Sequence, residues 1–393
     1  MRIAQIAPLY ERVPPKLYGG TERVVNVLTE ELVRRGHDVT LFASGDSVTS
    51  ARLEPMVDVA IRLGERGDAI ALHLAALEEI YARADEFDLI HSHVDLLAFP
   101  FARTAATPTV STTHGRLDFP EHRRVYARFT DQRLVSISRA QRAPLRDLPL
   151  RWLGTVHNGV CLERFPFRPT PDDPPYLVFL GRISPEKGPV EAVAVARALG
   201  LPLKVAAKID GVDREWAATH FLPLVDGRTV EYLGEVDEPG KMALLGGALA
   251  LLFPINWPEP FGMVLIEALA CGTPVVAFPG GSVGEVLVDG VTGYVCDSID
   301  DMAEAVSRIG RIDRAACRRH VEARFSAGAM ADGYEAIYRR VLAEGVPSEF
   351  ADRLLDDGPR PSRVPAGALV AEPRPRPIVP APPVRPALGA GLG

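Results

Sequence analysis

Apolar positions in the first 160 residues fall into short runs separated by stretches with helical spacing. Residues 2–7 form a short apolar run that reads as a strand. Residues 21–35 place Val24, Val25, Leu28, Leu32 and Val33 on one face of a helix, and Gly36 closes it. Residues 39–43, 87–91, 108–112, 133–136 and 154–157 read as further strands with helical patterns between them. Residues 165–175 then carry five prolines and interrupt the pattern as a linker. The alternation restarts at 176–180, 203–207, 229–233, 249–253 and 275–278, and helical patterns at 300–309 and 326–344 complete it. Alternating strands and helices predict an α/β protein with two doubly wound, Rossmann-like parallel sheets. The expected boundaries are 1–166 for the first domain, 175–325 for the second, a helix at 326–344 and a tail at 345–393. Proline and arginine dominate that tail and aromatics vanish after Phe350, so disorder is expected there.

One segment of the second half carries the most specific pattern. Glu259-Pro260-Phe261-Gly262-Met263-Val264-Leu265-Ile266-Glu267 lies between two predicted strands, and Cys271-Gly272-Thr273-Pro274 stops the helix that it opens. The backbone N–H groups of Gly262, Met263 and Val264 would point out of the helix start, where an anion such as a phosphate is favoured. Glu259 would touch what hangs off that anion on one side and Glu267 what hangs off the other. Hydroxyls, anion, hydroxyls is the order of a sugar, a diphosphate and a ribose. Taken alone, the two glutamates read more simply as a helix cap and a solvated face.

Composition bounds the function. Apolar residues make up 47% of the 393, enough for two cores, and a formal charge of −7 argues against a dedicated nucleic-acid binder. Cys161, Cys271, Cys296 and Cys317 are scattered without C-x-x-C pairing, which suits a reducing compartment. The N-terminus is too short and strand-like for a signal peptide, and no run of about 18 apolar residues exists. A soluble cytoplasmic protein is expected.

Other constellations converge on the same chemistry. Gly181-Arg182-Ile183-Ser184-Pro185-Glu186-Lys187-Gly188 brings two cations to the end of a strand, where they could hold a diphosphate and stabilise it as a leaving group. The loop before the first helix contains Gly19 and Gly20, which permit close backbone approach, and Thr21, a candidate cap. This loop is neither G-x-G-x-x-G nor a P-loop, which disfavours a dinucleotide oxidoreductase or an ATPase. His91, His93 and His114 sit at two strand ends. A cleft role suits His114, whereas His91 and His93 are as readily structural. No carboxylate or cysteine completes a metal-ligand spacing and no Asp-x-Asp occurs, so no metal or other cofactor is expected. Residues 122–151 are arginine-rich (Arg123, Arg124, Arg128, Arg133, Arg139, Arg142, Arg146, Arg151). Such a run is usually a solvated face; peripheral contact with an anionic membrane, at its inner face, is the sharper reading.

Together these motifs resemble the retaining glycosyltransferases of family 4, with the GT-B fold of two Rossmann-like domains facing across a cleft. The resemblance runs from Arg2 to about Glu344. It rests on the Glu259–Glu267 block, the Arg182–Lys187 segment, Tyr18-Gly-Gly-Thr-Glu-Arg23, His157-Asn158-Gly159-Val160, and Gly280-Gly-Ser-Val-Gly-Glu285 followed by Val288-Asp289-Gly-Val-Thr-Gly293. It implies a nucleotide-sugar donor held by the second domain and a hydroxyl acceptor (glycan, lipid or small molecule) held by the first. Glu259 would contact donor-sugar hydroxyls and Glu267 the ribose. Arg182 and Lys187 would clamp the diphosphate, with Gly19, Gly20, Phe261, Gly262, Met263 and Val264 around it and His114 near the reacting sugar. The helix at 326–344 would cross back onto the first domain. Two departures touch the subgroup rather than the chemistry: Cys161 stands where the family often has aspartate, and Gly284 where proline is common. The alternatives are a nucleotide-sugar epimerase or a sugar phosphorylase within the fold, and a non-catalytic nucleotide-sugar-binding protein outside it.

Overall fold

Two sheets form, and every strand pairing between their named strands is parallel. The first contains β1 (Arg2–Ile6), β2 (Asp38–Ser44), β3 (Arg52–Val57), β4 (Leu89–Ser92), β5 (Thr109–Thr113), β6 (Arg133–Ser136) and β7 (Trp152–Thr155). The second contains β8 (Leu177–Arg182), β9 (Leu203–Lys208), β10 (Val230–Gly234), β11 (Ala250–Phe253), β12 (Val275–Ala277) and β13 (Gly293–Val295). The orders are β3-β2-β1-β4-β5-β6-β7 and β10-β9-β8-β11-β12-β13. These are the doubly wound arrangements expected from the strand–helix alternation. The computed structural model describes residues 1–17, 19–62 and 68–344, which belong to one compact unit. Tyr18 and the tail at 345–393 lie outside the described residues.

Strand order reverses between β1 and β4 in one sheet and between β8 and β11 in the other. Ligands of such sheets bind outside the carboxyl ends of the strands at these reversals. The segments leaving those four strands contain Gly19 and Gly20, Asp95, Arg182 and Lys187, and Glu259. Topology alone therefore gathers most of the residues singled out above.

The helix Ala327–Glu344 buries Met330, Ala331, Tyr334, Ile337, Tyr338 and Val341 in one cluster with Ile3, Val24, Leu28, Leu89, Val110 and Val135 of the first half. It thus completes the core beneath β1, β4, β5 and β6. Two stretches of chain pass side by side near the linker: the Val160 amide bonds Phe325 O at 2.8 Å and the Ala327 amide bonds Val160 O at 2.9 Å. Gly159 makes this approach feasible, because a Cβ there would lie 2.6 Å from Ser326 O.

Three elements depart from the sequence expectation. β3 was not expected: it is an edge strand, half-exposed along its length and interrupted by Pro55, so it lacks alternation. β13 has three residues, too few to signal. The helix Arg314–Arg324 is mostly polar, burying only Arg314, Cys317 and Val321, and its apolar stripe is too thin to read. Thr21 does not cap the first helix. That helix is Gly20–Arg34, with Gly19 at the cap position, so Thr21 lies inside it.

Candidate active site

Both sheets direct their carboxyl ends at one cleft of about 830 Å³. Its walls include Gly19, Gly20, His114, Arg182, Lys187, Glu259, Phe261, Gly262, Met263, Val264 and Glu267, so all the residues proposed from sequence meet there.

On the second-domain wall, Gly188 sets the geometry. Its φ of +72° is left-handed, and a Cβ would lie 2.0 Å from Pro254 O, so only glycine lets the β8 loop pack against the β11 loop. That packing brings Lys187 onto Glu259, whose Oε2 accepts hydrogen bonds from Lys187 Nζ and from Trp257 Nε1 (3.0 Å). Lys187 Nζ also stands 4.5 Å from the centre of the Trp257 ring. Glu259 is thus an ion-pair partner rather than a helix cap. Arg182 is surrounded by acids: Glu186 at 2.7 Å, Asp210 at 3.4 Å and Asp213 at 3.7 Å. Here the cations of the expected clamp are held by carboxylates.

The helix Met263–Ala270 starts at Gly262, whose φ of +76° turns the chain into it. Gly262, Met263 and Val264 line the cleft at this helix start, and the Leu265 amide bonds Gly262 O at 3.0 Å. Glu267, one turn on, is 3% exposed, so it does not lie on a solvated face. Lys241 Nζ bonds its Oε1 at 2.6 Å, and Arg23 of the first domain reaches the same oxygen at 4.0 Å while pairing with Glu238 at 3.1 Å.

On the first-domain wall, His114 is held from two sides. Its amide bonds Asp95 Oδ1 at 3.1 Å, and its Nε2 lies 2.9 Å from His93 Nδ1. His93 Nε2 in turn lies 2.8 Å from Gln5 Oε1. Burial pushes the His114 pKa down to about 3 and holds His93 well below its ordinary value, so both rings are neutral near pH 7. With the Gln5 oxygen accepting from His93 Nε2, His114 donates to His93 and keeps a bare Nδ1. His91 belongs to the core instead. Its ring nitrogens meet Tyr338 Oη at 2.6 Å and Thr112 Oγ1 at 2.7 Å, so the structural reading holds for His91, whereas His93 supports a cleft residue.

Four functional candidates escaped the sequence reading. Asp95 has a φ of +47°, unusual for a non-glycine residue, and burial raises its pKa to about 6 against the pull of the His114 amide. Glu22 is 5% exposed, and burial raises it to about 7 despite backbone N–H groups nearby. Arg23 crosses between domains, as described. Glu285 accepts the amides of Arg139 (2.9 Å) and Ala140 (2.7 Å) and lies 3.2 Å from His157 Nε2, tying the second domain to the first. Glu22, Arg23 and Glu285 lie within motifs named above but received no role there, and Asp95 lies outside them, because the roles of all four arise from loops meeting across the fold. Part of the arginine-rich run is committed internally: Arg123 pairs with Asp147, Arg151 with Glu344, and Arg142 bonds Ser136 and Thr155.

Comparison with known proteins fits this arrangement. The Glycosyltransferase Family 4 model matches residues 18–164 and the Glycosyl transferases group 1 model residues 163–320. A D-inositol 3-phosphate glycosyltransferase of Frankia alni is 30% identical over 403 residues, covering 82% of this chain and 93% of its own. The chain belongs to glycosyltransferase family 4. A glycogen synthase of Mycobacterium tuberculosis is 29% identical over 379 residues, covering 82% of this glycosyltransferase and 89% of its own length. The Anabaena protein HepE, solved in complex with UDP-glucose, matches 88% of the chain and 100% of its own with a TM-score of 0.66 at 18% identity, which establishes the shared GT-B fold. Among the described residues of the glycosyltransferase, no helix is long and apolar enough to cross a membrane.

Proposed function

We propose that this glycosyltransferase is a metal-independent, retaining hexosyltransferase that moves a hexosyl group from a nucleotide-diphosphate sugar to a hydroxyl acceptor. One observation carries the reading: Lys187, Arg182, His114 and residues Gly262, Met263 and Val264 at the start of the Met263 helix all border one cleft, with Glu259 and Glu267 on either side of that helix start. In this reading the diphosphate lies at the helix N-terminus, where Arg182 and Lys187 exchange carboxylate partners for phosphate oxygens and stabilise the charge that grows as the glycosidic bond breaks. Glu259 then binds sugar hydroxyls, and Glu267, oriented by Lys241, binds the ribose.

The leaving phosphate oxygen takes the acceptor proton as the acceptor attacks the same face of the sugar, so anomeric configuration is kept. His114, neutral and anchored by Asp95 and His93, contacts the hexose without adding positive charge. The phosphate charge is met by protein groups, so no cofactor enters the scheme. Exposed Arg124, Arg128, Arg139 and Arg146 support a secondary proposal, peripheral contact with anionic membrane. Co-sedimentation with liposomes that tracks anionic lipid content supports that contact, and sedimentation independent of lipid charge sinks it.

The test of the main reading is incubation with UDP-, GDP- and ADP-sugars, following nucleotide diphosphate release and the product's anomeric proton by NMR. Release with retained configuration is expected. Tight donor binding without turnover under every acceptor, or an inverted product, would overturn it.

A further inference from the structure

In the reading above the donor occupies the second-domain wall, which leaves the first-domain wall to the acceptor, and that wall has a distinctive charge pattern. Its cations, among the described residues, are Arg23, Arg62 and Arg116. Each already faces a carboxylate: Glu238 at 3.1 Å, Glu11 at 3.3 Å and Asp118 at 2.6 Å. Arg116 is further occupied by the rings of Phe119 and Trp257, 4.7 and 5.2 Å from its guanidinium carbon. Three oxygen-bearing groups on the same wall are differently placed. Glu22, 5% exposed, forms no ion pair among the described residues. Asp95 spends one carboxyl oxygen on the His114 amide and leaves the other without a hydrogen bond. Asn158, 3% exposed, has a buried Oδ1 with no hydrogen-bond partner.

A phosphate ester on the acceptor would face carboxyl oxygens and find each arginine already paired with a carboxylate. A hydroxyl group finds the reverse: several oxygens able to accept its proton. We infer that the acceptor is an uncharged polyhydroxyl compound, a sugar or polyol hydroxyl, bound through Asp95, Glu22 and Asn158 and selected against its phosphorylated counterpart. The inference rests on the transferase reading above and names its acceptor class. It separates two chemistries found among the relatives, whose names refer to glycogen and to an inositol phosphate.

Three measurements test it. In the first, the active donor is supplied with paired acceptors: glucose and glucose 6-phosphate, myo-inositol and myo-inositol 1-phosphate, maltotriose and its phosphate. For any pair that reacts, kcat/KM is expected to be at least about tenfold higher for the uncharged member, the scale of one repulsive contact. Equal or higher efficiency with the ester overturns the inference. Failure of the donor reading looks different, since no nucleotide diphosphate would then be bound or released.

The second measurement needs no turnover. With UDP, GDP or ADP saturating the diphosphate site, inorganic phosphate at millimolar concentration is expected to give no thermal protection. Protection that vanishes in Arg62→Ala or Arg116→Ala overturns the inference. Asp95→Asn, a residue that tolerates positive φ, is expected to fold and to weaken the uncharged acceptor's KM with little change in donor affinity.

Discussion

The pair Lys241–Glu267 gives the sharpest test of how this site is built. Both side chains are nearly removed from solvent, at 10% and 4% exposure, and Nζ and Oε1 are 2.6 Å apart. Deleting one member of such a pair strands a desolvated charge, which costs about 3–5 kcal/mol. Against a total stability of about 5–15 kcal/mol that is a large fraction, so Glu267→Ala should lower the urea midpoint markedly. Replacing both partners with apolar residues of similar size, Lys241→Met with Glu267→Leu, should recover most of that loss.

Donor binding separates the structural role from the functional one. If Glu267 holds the ribose hydroxyls, each lost hydrogen bond costs about 1 kcal/mol. Two such bonds correspond to a 10- to 100-fold weaker donor Kd, since about 1.4 kcal/mol is tenfold. The double variant should therefore be stable yet bind donor as weakly as the single one, measured by urea unfolding beside calorimetric titration with donor. Recovery of donor affinity along with stability would refute the ribose role. A stability loss below about 1 kcal/mol in Glu267→Ala would refute the desolvated pair itself.

Three further outcomes are expected. Arg182→Ala and Lys187→Ala should each lower kcat by about 10²–10³ in a nucleotide-release assay, because each removes charge stabilisation that grows in the transition state; a wild-type rate in either would end the clamp. EDTA should leave turnover intact, and full loss restored by Mn²⁺ would show that a metal meets the diphosphate charge. Glu22→Gln should change the pH dependence of stability. The folded-state pKa of Glu22 is raised from 4.5 to about 7, so its contribution falls as pH rises through that window. At about 1.36 kcal/mol per pH unit, the variant should gain up to about 3 kcal/mol relative to wild type between pH 4.5 and 7, and an unchanged difference in urea midpoint would refute the buried carboxyl.

How much of this was legible in the sequence depended on how locally each feature is encoded. Strands buried on both faces, such as β11 with Ala250, Leu251, Leu252 and Phe253, announce themselves as apolar runs. β3 does not, because an edge strand can be half-exposed and carry Pro55. The Glu259–Glu267 block was readable because its helix start, its glycine and its two acids lie within nine residues. What those acids touch was not readable. Lys187 is 72 residues from Glu259, and Lys241 is 26 from Glu267. Likewise His93 could not be told from His91 by position, since the two flank Ser92 and share one face of the chain, with ring centres 4.0 Å apart; only their neighbours differ, Tyr338 for His91 and His114 for His93.

The pairing of clamp and acids has a consequence for binding itself. Arg182 and Lys187 are each compensated before any donor arrives, by Glu186, Asp210 and Asp213 in one case and Glu259 in the other. In the proposed donor complex, a diphosphate would therefore replace existing ion pairs rather than fill an uncompensated field, and its net gain would be a difference between two similar attractions. Moderate ground-state affinity is the expected outcome. The difference widens as negative charge accumulates on the leaving diphosphate, because the carboxylates' charge stays fixed while that of the phosphate oxygens grows. In that scheme preformed acid partners would favour the transition state over the bound donor, which is the condition for electrostatic groups to raise kcat rather than only lower KM. On the proposed reading the same exchange would release the Glu259 carboxylate from Lys187 as a sugar hydroxyl needs an acceptor, coupling arrival of the diphosphate to recognition of the hexose.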